Sequence, residues 1–166
     1  MTYEELLITL SGIEPDQAYK ILKENPDHKH KSGYEFIIKK DPYSAYIYAI
    51  DVIKGRWPEA EDVIKTDPES AYDYARDVIK DRWKEAEEYI KKDLHYAYLY
   101  AADVIEGRWL EAEETIKTDP EYACNYAKEV IKGRFPEAEE VIKTDPFSAC
   151  DYAEEVIGDK NFWDKN

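Results

Sequence analysis

Three histidines, two cysteines and a recurring set of carboxylates are the side chains of this sequence with chemistry to offer. His28 and His30 in "HKH" could grip a metal ion, but the pair stands without a third ligand. A nucleophilic mechanism would have to use His28, His30 or His95 as its base, and none sits in a supporting motif. There is no Gly-rich phosphate loop and no Cys-x-x-Cys. The carboxylates Glu59, Glu61 and Asp62 return as Glu85, Glu87 and Glu88, as Glu111, Glu113 and Glu114, and as Glu137, Glu139 and Glu140. An acid–base pair belongs to a single site, whereas groups repeated at a fixed interval suit helix ends better. The sequence therefore predicts no catalytic residue, no metal site and no cofactor, and points to a binding or structural protein.

The interval itself defines the architecture. Trp57, Trp83, Trp109 and Phe135 follow one another at a constant 26-residue spacing, each inside a variant of "GRWPEAE". The units run 55–80, 81–106, 107–132 and 133–158, with a looser copy at 29–54. Periods of this length mean stacked supersecondary units. The expected fold is all-α: an α-solenoid of short antiparallel helix pairs forming one domain over 1–166. Residues 1–28 would cap its N-terminal end and 159–166 its C-terminal end, giving about 12 helices in a superhelix.

Each unit reads as two helices. Pro58 suits the first helical position, Glu59, Glu61 and Asp62 suit the positive end of the helix dipole, and Ala60, Val63 and Ile64 make an apolar stripe. Glu61 and Lys65 form an i,i+4 pair that recurs as Glu87–Lys91, Glu113–Lys117 and Glu139–Lys143. Asp67 is the N-cap of the second helix, and Ala71, Tyr74, Ala75, Val78 and Ile79 are its buried face. Gly107 and Gly133 are the expected left-handed closing residues, with Asp81 a less favourable substitute. The tryptophan should wedge between one unit's second helix and the next unit's first, and the preceding Arg should brace a carboxylate across that joint. Phe162 or Trp163 would fill the same role after a slip of one or two residues. At the other end Thr2 and Glu5 match a capping box, followed by Leu6, Leu7 and Leu10 and closed by Ser11-Gly12.

Cys124 and Cys150 occupy the same place in neighbouring units. Equivalent atoms there lie about 8–10 Å apart, beyond the roughly 7 Å between Cα atoms that a disulfide tolerates. Both should be reduced and at or near the core. The formal net charge of −15 argues against direct binding to nucleic acid, whose phosphates would be repelled, and favours a protein partner with a basic surface. No apolar run approaches the roughly 20 residues that cross a bilayer. The acidic opening "MTYEELLITL" argues against a secretory signal, so a cytoplasmic setting is expected.

Function should sit where the copies disagree. On the second helices four positions vary: Glu69, Asp73, Arg76 and Lys80 in one unit, His95, Leu99, Ala102 and Glu106 in the next, and Glu121, Asn125, Lys128 and Lys132 in the one after. Asp73, Arg76, His95, Leu99, Ala102, Asn125 and Lys128 are the candidate partner-binding residues. In the first repeat Tyr43, Ile47 and Ile50 are apolar, as burial beneath the N-terminal helices would require. The twelve carboxylates named above form a competing acidic edge that could imitate a phosphate track. Tyr46, Tyr72 and Tyr98, continued by Cys124 and Cys150, read as filling between repeats rather than as a stacking platform.

The pattern W-P-E-A-E, D-P, A-Y-x-Y-A-x-[DE]-V-I-x-G-R-[WF], carried here by Trp57–Glu61, Asp67–Pro68, Ala71–Ile79 and Arg82–Trp83, resembles tandem repeats in uncharacterised proteins of large tailed bacteriophages. The resemblance covers about residues 29–158, in strong form from 55, and Lys84 and Leu94 depart from it where prolines are expected. It transfers no functional residue. It implies a viral setting, in which small acidic proteins often block host enzymes or defence systems. An inhibitor of a host protein, a nucleic-acid mimic filling a basic groove, and a virion or assembly component are the three functions that follow.

Overall fold

The computed structural model describes residues 10–164, and these are all-α, without a strand. The chain divides into two compact units, Met1–Tyr89 and Ile90–Asn166. The first holds α1 (Pro15–Glu24), α2 (Lys31–Ile38), α3 (Pro42–Tyr48), α4 (Pro58–Ile64), α5 (Pro68–Asp73) and α6 (Lys84–Ile90), whose last residue opens the second. The second holds α7 (Leu94–Tyr100), α8 (Leu110–Ile116), α9 (Pro120–Asn125), α10 (Glu139–Ile142) and α11 (Pro146–Asp151). Within the first unit α3 packs on α4 and α5; within the second α9 packs on α10 and α11. The expected Thr2–Glu5 capping box, with Leu6 and Leu7, lies outside the described residues; Leu10 is buried.

The Asp-Pro signal does what its chemistry requires. Asp41, Asp67, Asp93, Asp119 and Asp145 each accept a hydrogen bond from a backbone N–H in the first turn of the helix they precede. Asp93 caps α7 although Leu94 replaces the proline, so the carboxylate rather than the ring starts these helices. Helices this short are unstable alone, and burial has to hold them. Ala60 and Ile64 of α4, and Ala71, Tyr74 and Ala75 of the following helix, are fully buried.

The aromatic wedge is where the 26-residue period places it. Trp57 lies 4.9 Å, ring centre to ring centre, from Tyr48 on the preceding second helix. Trp83 meets Tyr74 at 5.1 Å, Trp109 meets Tyr100 at 5.1 Å and Phe135 meets Tyr126 at 5.6 Å. All four wedges are buried, and Phe162 closes the series against Tyr152. Trp163, the alternative candidate, stacks on Tyr152, meets Phe162 edge-on and donates its indole N–H to the Ala149 carbonyl.

Three expectations about the second helices are corrected. Each does not continue as α-helix but widens into a π turn: Ala49–Ile53, Tyr74–Ile79, Ala101–Ile105, Tyr126–Ile131 and Tyr152–Ile157. The Lys80 N–H reaches the Ala75 carbonyl five residues back at 2.7 Å. The extra residue in that turn leaves Val78 and Ile79 half-buried rather than in the core. The left-handed closing residue is not the glycine but the residue before it: Lys54, Lys80, Glu106 and Lys132 stand at φ 53–59°, with Gly158 in the fifth copy at φ 73°. Asp81 is therefore unstrained. Third, Tyr43 is exposed rather than covered by the N-terminal helices, while Ile47 and Ile50 are half-buried.

A side chain in the left-handed region costs about 1–2 kcal/mol, part of which glycine returns as backbone entropy. Replacing Lys54, Lys80, Glu106 and Lys132 together by glycine should therefore raise stability by roughly 2 kcal/mol and the melting midpoint by roughly 4–8 °C. A fall in the midpoint would show that the lysine and glutamate side chains hold these turns.

Candidate functional site

The most elaborate polar cluster recurs in successive repeats. In the second repeat Arg56 grips Glu61 with two hydrogen bonds of 2.8 Å. The Tyr74 hydroxyl donates to the same carboxylate at 3.0 Å and accepts the Trp57 backbone N–H at 2.7 Å. Arg108, Glu113, Tyr126 and Trp109 repeat this arrangement, as do Arg134, Glu139, Tyr152 and Phe135. The arginine thus braces first a carboxylate of its own unit, because five residues along the same chain bring the two side chains together; across the joint, Arg108 also comes within 3.9 Å of Glu137 of the next repeat. The expected Glu61–Lys65 pairing is displaced in consequence: Lys65 turns to Asp62 at 2.6 Å and Lys117 to Glu114 at 2.6 Å.

Burial pushes Tyr74, Tyr126 and Tyr152 up to about 12, against the opposing pull of the backbone N–H each accepts. Burial alone would raise the Glu139 carboxyl, but the bonds from Arg134 and Tyr152 outweigh it and hold the group below its ordinary value. The phenol, held protonated beside an arginine-locked carboxylate, is engaged by internal hydrogen bonds on both sides. It satisfies the buried N–H that opens each wedge. Tyr126→Phe removes one oxygen and orphans the Trp109 N–H, so a loss of about 1–3 kcal/mol is expected in urea melts. No loss would mean that water replaces the hydroxyl.

The same accounting thins the acidic edge. Glu61, Glu87, Glu113 and Glu139 are gripped by their arginines, Asp62 and Glu114 by lysines, and Glu137 lies 3.9 Å from Arg108. Glu59, Glu85, Glu88, Glu111 and Glu140 are exposed.

Among the variable positions, Asp73 and Arg76 belong to an internal network. Arg76 lies 2.7 Å from both Asp73 and Asp77, and Asp77 accepts from Tyr46 of the preceding repeat at 2.9 Å. Arg76 holds the Asp77 carboxyl below its ordinary value, while burial raises that of Asp73. His95 is exposed, with Nδ1 2.9 Å from the Tyr122 hydroxyl. Leu99, Ala102 and Asn125 are half-buried, and Lys128 reaches Asp151 at 2.6 Å. The tyrosine column fills space, as expected: Tyr46 and Tyr72 are buried, and Tyr98 donates to Glu129 of the next repeat.

One concavity stands out in the second unit. A groove of about 700 Å³ opens between α9 and α11, with Pro120, Cys124 and Phe147 among its apolar walls and Asp119, Glu121 and Asp145 among its acidic ones. Phe147 is 87% exposed, the most exposed large apolar side chain described. Both cysteines line the groove and both are free. Cys124 is buried, and burial, then Asp151, pushes its thiol up to about 11. Cys150 is exposed rather than near the core, and its hydrogen bond to Glu154 raises its thiol. Both surroundings disfavour the thiolate form.

Comparison with protein families, with curated proteins and with solved structures found no match for this chain. Its function has to be argued from its own surfaces. No described helix is long and apolar enough to cross a membrane.

Phe147 is absent from the residues singled out by sequence, and Cys150 is singled out there only as a reduced, near-core filler. The signal for the first is positional. Tyr43, Glu69, His95, Glu121 and Phe147 are the five residues at one corner of the repeat, and the last carries the largest apolar surface into solvent.

Proposed function

We propose that this chain is a non-enzymatic helical-repeat scaffold that binds a protein partner. The observation that carries the reading is the division of labour among its side chains. Positions shared by the repeats are largely spent internally, on wedges, caps and the Arg–Glu–Tyr clusters, whereas Glu121, Asn125 and Phe147, at positions that differ between repeats, border the open groove between α9 and α11. A solitary exposed Phe is ordinary, but one standing in an acidic groove has the mixed character of a contact surface. The resemblance to phage repeats supports a host protein as the partner and the host cytoplasm as the place of action. Nucleic-acid mimicry draws less support, because half or more of each carboxylate cluster in 59–62 and 111–114 is already neutralised from within.

The test is capture from bacterial lysate at low and high salt, followed by reconstitution with the purified captured protein. A stoichiometric complex that DNA does not displace is the expected result. Displacement by DNA at equal charge concentration would transfer the reading to mimicry. Failure to recover any stoichiometric partner would remove the reading altogether.

A further inference from the structure

We infer that the groove between α9 and α11 receives a basic segment of a partner protein that carries an apolar side chain among arginines or lysines. The inference rests on the binding function proposed above and names the chemistry of the occupant. Three carboxylates at the groove, Asp119, Glu121 and Asp145, have no cationic partner among the described residues, and no Lys or Arg lines it. Asp151 and Glu154, also lining it, are neutralised by Lys128 at 2.6 Å and Lys160 at 3.0 Å. Asp119 and Asp145 are fixed in place by the backbone N–H groups they cap, so their charge is preorganised rather than free to swing away. Serine N–H and hydroxyl bonds keep the Asp145 carboxyl below its ordinary value.

Charge complementarity selects the occupant. A second copy of this chain, itself at −15, would bring like charge to an acidic groove. A purely cationic segment would leave the exposed face of Phe147 against water. A purely apolar one would strip solvent from three carboxylates without pairing them. A segment with a leucine or an aromatic residue set against Phe147, flanked by guanidinium groups directed at Asp119, Glu121 and Asp145, satisfies both demands.

The experiment uses the full chain and three labelled peptides of equal length. The first has arginines and lysines around two leucines, the second has serines in place of the leucines, and the third has glutamates in place of the basic residues. The first should bind at least about tenfold more tightly than the others, weaken about tenfold or more in Phe147→Ser and in Glu121→Lys, and slow the reaction of Cys150 with a disulfide reagent. Cys124, buried, stays silent in that assay, and Cys150→Ser shows that binding does not depend on the thiol. Both test positions are exposed, and matching melting curves establish that the variants fold. Equal binding of the first two peptides, indifference to Phe147→Ser, or an unprotected Cys150 would each overturn the inference. If a captured partner binds both groove variants as it binds the parent chain, the groove is eliminated while the scaffold reading stands. If no partner is recovered either, both fall.

Discussion

Titration to high pH is expected to unfold this chain in one cooperative step between about pH 10 and 12, in register with tyrosine ionisation. An exposed tyrosine ionises near pH 10 and leaves the fold intact. Here Tyr74, Tyr126 and Tyr152, fully buried, are pushed up to about 12, and burial raises Tyr46, Tyr48 and Tyr98 as well. A raised folded-state value means that the native chain holds the proton more tightly than the unfolded one. The resulting stability is fully present below pH 10 and is lost as pH rises through the folded value. Each of the three phenols then contributes on the order of a few kcal/mol, so together they form a large share of the stability of an ordinary domain. The structural reason is direct: a phenolate at Tyr126 can no longer donate to Glu113 and places like charge beside it. Tyrosinate absorbance and far-ultraviolet circular dichroism should change together. Ionisation spread around pH 10 with the helical signal intact would show that these hydroxyls are in contact with water.

Carboxylates give the opposite dependence. Glu139 and Asp77 are held below their ordinary values, so their contribution is present at neutral pH and declines as pH falls through those lowered values.

Most of the scaffold was legible because it rests on residue types with few alternative uses. A tryptophan every 26 residues has to be buried somewhere, and only a joint recurs at that interval. An aspartate before a helix has unpaired N–H groups to accept from. The π turns were not legible, since Ala75, Val78 and Ile79 fit an α-helical stripe equally well by spacing. The left-handed residues were hidden for a related reason: a glycine one position later supplied a plausible substitute, and lysine gives no conformational signal of its own. The direction of each arginine depended on competition between Glu61 and its neighbours for two cations, which sequence spacing does not rank. At the candidate site the variable positions were visible as a set. Leu99 and Ala102, candidate contact residues by their variation, are half-buried, while Phe147 in the fifth copy is the side chain left open to solvent.

Trp109→Ala is expected to destabilise the chain by about 3–5 kcal/mol, the largest loss from any single truncation considered. The ring is 1% exposed and lies against Tyr100, and its backbone N–H is the one satisfied by Tyr126. Removing it opens a cavity at the seam between consecutive repeats, and in a repeat array such seams carry the nearest-neighbour coupling. A drop in melting midpoint of roughly 6–20 °C should follow, by the usual relation between stability and midpoint. Trp109→Phe separates packing from polarity. The indole N–H of Trp109 is buried without a hydrogen-bond partner among the described residues, and the equivalent position one repeat later is already Phe135. Phenylalanine deletes that desolvated donor, whose burial costs about 1–3 kcal/mol, and offsets part of the volume lost. The Phe variant should therefore melt far closer to the parent than the Ala variant does. Equal damage in both would mean that the indole N–H, not the ring, secures the seam, and an unchanged midpoint in Trp109→Ala would remove the wedge from the account of how these repeats hold together.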